Sequence, residues 1–246
     1  MERDFEDKYH ILEEDHWWFK GRRDCIIQMM RYFSKDAKIL DVGCSSGVLL
    51  TELKNQLFNP LNLYGIDVSE KAIQACHDRG FTNTSVMDAQ ELNLKERPFD
   101  ILIASDCLEH LEDDVKALTS WRSQLKEDGT LFIFVPAFMS LWSGHDIVNH
   151  HYRRYTKNQL MSKLEKSNFN IINSGYWNFT LFFPLFLIRK IKKLLNLDKI
   201  NDLNYLPKFI NELLYFILFL ENRMLKLGRF PVGISVYCIA QKNKKS

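Results

Sequence analysis

Short apolar runs alternate with amphipathic stretches through the first 140 residues of the chain. Ile39-Leu40, Leu63 to Ile66, Thr84 to Met87, Phe99 to Ala104 and Thr130 to Pro136 have strand length, and the fourth is apolar enough for burial on both faces of a parallel sheet. Glu70 to Arg79 and Val115 to Leu125 carry the helical pattern between them, and Asp128-Gly129 is a turn signal. Strands alternating with helices in this way predict a doubly wound, mostly parallel α/β sheet. Residues 5 to 33 read as helical, with His16-Trp17-Trp18-Phe19-Lys20-Gly21-Arg22-Arg23 between two amphipathic pieces. Those aromatics either anchor the N-terminal helix on the sheet or line a cavity. Arg22 and Arg23 are expected in solvent, with contact to an anionic substrate as the alternative.

Beyond the fifth strand, Ala137 to Tyr155 is long, polar and rich in histidine (His145, His150, His151), as a substrate-binding lid would be. Thr156 and Gln159 form a capping-box pattern that opens a helix through Lys166. Ile171 to Trp177 and Ile234 to Ala240 are the last strands, parted by an insertion. It holds an apolar run from Tyr176 to Ile188, the cluster Arg189-Lys190-Ile191-Lys192-Lys193, and a second apolar helix, Asn211 to Lys226. Neither run reaches the roughly 20 residues that span a bilayer. The insertion, 176–226, suits peripheral membrane contact or a helical hairpin packed on itself and the sheet. The whole reads as a single domain: a helical cap (1–34), a core (35–175), the insertion (176–230), and a last strand with its tail (231–246).

The chemistry centres on Asp41-Val42-Gly43-Cys44-Ser45-Ser46-Gly47, a glycine-bearing turn between strand and helix. Gly43 and Gly47 let backbone approach a ligand beside unpaired helix N–H groups. The Asp41 carboxylate repels pyrophosphate and favours a ligand carrying an ammonium or hydroxyls. Asp67 ends the second strand, where an acid binds a ribose diol. Asp88 ends the third, where a helix cap is one role for it. This order resembles the class I S-adenosylmethionine (SAM)-dependent methyltransferases, whose first motif is D/E-x-G-x-G-x-G; Ser45 replaces the middle glycine. The resemblance implies a Rossmann-like seven-stranded sheet with an antiparallel last strand, to which this chain adds N-terminal helices and a C-terminal helical insertion. It also implies SAM bound by Asp41, Gly43, Cys44, Gly47, Asp67, Val68, Asp88, Ala89 and Ser105, with Asp88 meeting the adenine amino group.

Asp106-x-x-Glu109-His110 follows the fourth strand and is similar to the E-x-x-E-H element that binds a divalent ion in ubiquinone-biosynthesis O-methyltransferases and small-RNA 2′-O-methyltransferases. Asp106, Glu109 and His110, completed by a histidine from the lid, are therefore candidate ligands for Mg²⁺ or Zn²⁺. Alternatively Glu109 and His110 serve catalysis directly, or His145, oriented by its neighbour Asp146, is the general base. The lid is also similar to a subgroup of methyltransferases assigned to cell-surface glycan or lipid pathways. The expected reaction is methyl transfer to a hydroxyl of a small-molecule or lipid-linked acceptor. A nitrogen acceptor, a nucleoside-binding oxidoreductase and a non-catalytic SAM-binding module at a membrane remain alternatives.

Charge adds only an exclusion. With 33 basic and 31 acidic residues and no dense basic patch, nucleic acid is not an expected partner. Five scattered cysteines without a C-x-x-C pair, and an acidic start unlike a signal peptide, point to a cytoplasmic chain.

Overall fold

The computed structural model describes residues 3–195 and 205–243, the side chains of 3–8 excepted. Residues 1–2 of the expected cap, 196–204 of the insertion and 244–246 of the tail lie outside the described residues.

Two helices, α1 (Arg3–Asp15) and α2 (Trp17–Met30), precede the sheet, and His16 between them caps α2 by accepting from the Trp18 amide. The core alternates as the pattern predicts: β1 (Ile39–Val42), α3 (Val48–Asn55), β2 (Leu63–Asp67), α4 (Glu70–Asp78), β3 (Thr84–Val86), β4 (Phe99–Ser105), α5 (Asp114–Gln124) and β5 (Leu125–Pro136). The Asp128-Gly129 turn falls inside the bounds of β5, as an irregular start where the register with β4 shifts. A lid follows, with the short helix α6 (Gly144–Val148), then α7 (Lys157–Lys166), opened by the expected Thr156–Gln159 capping box. β6 (Phe169–Trp177), α8 (Phe182–Leu194), α9 (Lys208–Met224) and β7 (Ser235–Lys242) complete the chain.

The seven strands lie in the order β3-β2-β1-β4-β5-β7-β6, and only β7 runs antiparallel to its neighbours. β1 is buried at all four positions and sits between β2 and β4, where the winding direction reverses. The crevice beyond the carboxyl ends of β1 and β4 is thus the switch point at which such sheets bind ligands. One apolar layer, around Leu102, Trp121, Leu131 and Leu160, fills one face of the sheet. The other, around Ile26, Leu50, Ile101 and Phe132, joins α2 and α3 to the opposite face.

Among the described residues of the insertion, the extensive helix packing is that of α9 on α2. α9 lies on α2, where Asn222 donates to the Gly21 carbonyl (2.9 Å) and accepts from Trp177 Nε1 (2.8 Å), while Leu218 packs over Gly21. No residue of α8 is buried.

Candidate functional site

A cavity of about 1200 Å³ opens at the switch point. That exceeds a typical single-ligand pocket of about 300–1000 Å³ and leaves room for two reactants side by side. Its near wall is the β1–α3 turn. Gly43 (φ +76) and Gly47 (φ +78) hold left-handed backbone there, and the Gly43 and Cys44 amides both donate to the Ile66 carbonyl at 2.9 Å, pinning the turn onto β2. Asp67 receives the Ser45 amide (3.0 Å) on one oxygen and the Ser69 amide (3.0 Å) on the other. Asp88 is exposed and accepts from the Gln90 amide (2.8 Å), so it caps a turn where a helix cap was the alternative expected.

Of the residues expected at a cofactor, Gly43, Asp67, Val68, Asp88, Ala89 and Ser105 line the cavity. Asp41, Cys44 and Gly47 are buried behind that wall. Burial, then the charges of Glu13 and Asp67, push the Asp41 carboxyl up to about 8. Cys44 Sγ turns to Cys76 Sγ at 3.9 Å.

The far wall combines the segment after β4 with the lid. Glu109 is fully buried, and neither carboxylate oxygen has a hydrogen-bond partner among the described residues. Burial and the nearby Asp106 charge raise its pKa well above the usual carboxylate range. The His110 and His151 rings meet edge to face at 4.5 Å, and one donor atom from each of Glu109, His110 and His151 falls within 4.8 Å of the others. Burial, with His151 adding to it, depresses His110 to about 3. A neutral imidazole is the form that ligates metal.

The lid is held by Asp146, which accepts from Arg154 Nε (2.7 Å) and Nη2 (2.9 Å), from the Ser143 amide (2.8 Å) and from His151 Nδ1 (2.9 Å). Burial alone would raise its pKa, but the His151 bond and the Arg154 guanidinium hold it well below the usual range. Asp146 therefore orients His151, correcting the expectation that it orients the adjacent His145. The spacing on α6 explains this, since neighbours on a helix do not face each other. His145 still lines the cavity, with its ring 3.3 Å from Asn149.

Asp106 departs from the expected metal set. It accepts from Arg22 Nη1 at 2.7 Å, while Arg22 Nη2 donates to Ser235 Oγ at 3.0 Å. Arg22 and Arg23 are both buried, contrary to the expectation of solvent. Arg22 sits among the rings of Trp18 (5.3 Å), Phe134 (5.1 Å) and Trp177 (4.6 Å), so a cation with delocalised charge is stabilised away from water. Arg23 binds Glu52 (2.6 Å) and the carbonyls that end α1. The two readings of the aromatic run coincide: Trp17, Trp18 and Phe19 line the cavity, and Trp18 also packs edge-on against Trp177 at 5.2 Å.

Glu13 of α1 has no counterpart in the sequence reading. It accepts from Ser45 Oγ (2.9 Å), Ser46 Oγ (2.8 Å) and the Ser46 amide (3.4 Å), which brings Tyr9 and His10 to the cavity wall. An acid on a helix with an acidic, polar sequence carries no signal of this.

A family profile described as "Methyltransferase domain" matches residues 40–133, from β1 into β5. Residues 40–133 thus match a methyltransferase domain. Within curated relatives, the domain is 30% identical over 119 residues to the ubiquinone/menaquinone biosynthesis C-methyltransferase UbiE of Campylobacter jejuni (strain 81-176), covering 46% of this chain and 50% of that one. It is 26% identical over 137 residues to the ubiquinone biosynthesis O-methyltransferase of Histophilus somni (strain 2336), covering 47% and 56%. The chain thus spans about half the length of the curated relatives it matches. In solved structures, the fold resembles a methyltransferase of Haloferax volcanii in complex with its Trm112 activator, at 13% identity and TM-score 0.64, over 99% of this chain and 96% of that one. It also resembles the plantazolicin methyltransferase BpumL in complex with S-adenosylhomocysteine, at 16% identity and TM-score 0.61, over 98% and 90%. This likeness of fold spans nearly the whole chain.

Proposed function

We propose that this protein transfers a methyl group from SAM to a hydroxyl of a small-molecule acceptor with an apolar portion. The supporting observation is the pairing of two unlike walls in one cavity: the acid-ended turns of β1, β2 and β3, and, facing them, the unpartnered Glu109 carboxyl with His110 and His151. Asp67 and Asp88 would receive the ribose hydroxyls and the adenine amino group, with Gly43 admitting the chain of the amino-acid moiety. Asp41, behind the turn, would favour the ammonium end once that positive charge draws its raised pKa back down. Methyl transfer from a sulfonium is an in-line displacement, so the protein's contribution is alignment, exclusion of water, and removal of the hydroxyl proton.

Two groups suit the proton. Glu109, His110 and His151 form a hard-carboxylate and imidazole set that would hold a divalent cation, with Asp146 as the outer carboxylate that fixes the His151 tautomer. The orphaned oxygens of Glu109 fit that occupant. A bound cation would lower the pKa of an acceptor hydroxyl. His145, on the lid beside the same rings, is positioned for direct general-base action. The apolar portion of the acceptor is inferred from Leu181, Pro184, Leu185, Ile188 and Leu214 on the cavity wall, which also suits a lipid-linked acceptor.

Calorimetric titration with SAM, S-adenosylhomocysteine and NADH tests the cofactor. Binding of the first two and not of NADH is expected, and the reverse overturns the reading. With a turned-over acceptor in hand, chelation and His145→Ala separate the two routes for the proton. Glu109→Gln should lower turnover by about 10²-fold or more while leaving SAM affinity within about twofold.

A further inference from the structure

The two helices of the insertion carry apolar stripes that nothing among the described residues covers. On α8, Phe183, Leu187, Ile191 and Leu194 follow one another at spacings of three and four and are all exposed. On α9 the exposed stripe is Phe209, Leu213, Phe216, Leu220 and Met224. The inward side of α9 holds Leu218, Glu221 and Asn222, its buried residues. Glu221 accepts from the Phe179 and Thr180 amides at 2.9 Å, and Asn222 binds α2. α9 thus buries Glu221 and Asn222 while a row of hydrocarbon faces out, unlike an ordinary surface helix.

Two further observations say what covers this surface. The first is charge. α8 contains no acidic residue, and its C-terminal half carries Lys190, Lys192 and Lys193. The acids of α9 are engaged elsewhere, Glu221 as above and Glu212 with Lys20 at 3.4 Å. A second copy docked by α8 would offer these lysines no carboxylate from that helix, whereas an anionic bilayer supplies the opposite charge. The second observation is continuity. Ile188 is 49% exposed and at the same time part of the cavity wall, next to Leu185, and Leu214 on that wall adjoins the exposed Leu213. The uncovered surface and the cavity wall thus share Ile188.

We propose that α8 and α9 dock this protein on an anionic lipid surface, with the apolar stripes at the acyl boundary, Lys190, Lys192 and Lys193 among the headgroups, and the cavity mouth toward the bilayer. Helices with a hydrocarbon face and flanking lysines bind in this way, buried about 5–10 Å deep. None of the described helices is long and apolar enough to cross the membrane, so the attachment is peripheral.

The test is co-sedimentation of the full chain with phosphatidylcholine vesicles, with and without phosphatidylglycerol, in the absence of cofactor and acceptor. It therefore reads out independently of methyl transfer. Sedimentation with the anionic vesicles, weakened by added salt, is expected. The triple variant Lys190→Gln, Lys192→Gln, Lys193→Gln should lose about a hundredfold in partitioning, at about fivefold per lysine. Phe209→Ser with Phe216→Ser should also lose binding, with unchanged circular dichroism and unchanged SAM titration showing that the fold persists. Failure to sediment with anionic vesicles at low salt overturns the proposal, as does equal sedimentation of both variants and the unchanged chain. A concentration-dependent dimer that Phe216→Ser dissolves, without vesicle binding, assigns the surface to a second copy and also overturns it.

Discussion

Ser45 stands where the resembling family places glycine, and it adopts the left-handed backbone (φ +47) that glycine would supply freely. Such a conformation costs a non-glycine residue about 1–2 kcal/mol. Its hydroxyl offsets part of that by donating to Glu13, so the replacement joins two elements instead of being merely tolerated. Asp106 (φ +55) and His150 (φ +56) hold the same strained region and also line the cavity, in keeping with strain gathering where a site is shaped. At Asp41 the consequence is measurable. Its pKa rises from 3.8 to about 8 on folding, so between those values the folded chain holds a proton that the unfolded chain has released. Its contribution to stability is therefore greatest below 3.8 and declines as pH rises toward about 8. Melting temperature should fall over that window more steeply than in Asp41→Asn, followed by calorimetry at a series of pH values. The position of Asp41 was legible, because a buried parallel strand reads as an apolar run and a polar residue breaking it marks the ligand end. Burial of Arg22 was not: its partners Asp106, Phe134, Trp177 and Ser235 come from four distant parts of the chain.

Among the elements, the lid shows most clearly what local pattern can and cannot reveal. The Thr156–Gln159 box lies within one turn and could be read directly, whereas the Asp146–His151 and Asp146–Arg154 bonds depend on how the chain doubles back after α6. Asp146 is fully buried and Arg154 nearly so, and removing one partner strands the other charge away from water. Asp146→Asn should destabilise the protein by about 3–5 kcal/mol in denaturant unfolding. It should also release the lid, seen as faster hydrogen exchange across residues 143–155. Charge-preserving Asp146→Glu tests whether geometry or charge is at issue, since the added methylene displaces a bidentate pair. The α9–α2 contact escaped sequence reading for a related reason. A Cβ on Gly21 would lie 2.5 Å from Leu218 Cδ1, so this glycine is a close-approach position, and only the partner helix reveals it.

On the scale of the whole molecule, the parallel α/β core and the acids that follow its strands were visible in advance because strands alternating with helices indicate such a sheet, while the antiparallel last strand was implied only by the family resemblance. What completes the cavity was less visible, since α1, α2, α8 and α9 lie outside the repeating unit and pack by individual fit. A ligand that joins the near wall to these outer elements should stabilise all of them together. At 100 times its dissociation constant, SAM would add about 2.7 kcal/mol. At about 2–4 °C per kcal/mol for a chain of this size, the expected rise in melting temperature is about 5–10 °C. Differential scanning fluorimetry checks this, and no rise with saturating S-adenosylhomocysteine or SAM would count against the proposed cofactor. One bond extends the same theme. Arg22 Nη2 donates to Ser235 Oγ, joining α2 to the start of β7 across 213 positions of sequence. During synthesis, then, the guanidinium can meet its last ring once Trp177 has left the ribosome, but this hydroxyl partner only once Ser235 has followed. A nascent chain halted before β7 already has the glycine turn and all three strand-end acids, yet it has no finished cavity in which to use them. Competence to bind is in this sense a report that synthesis has passed β7.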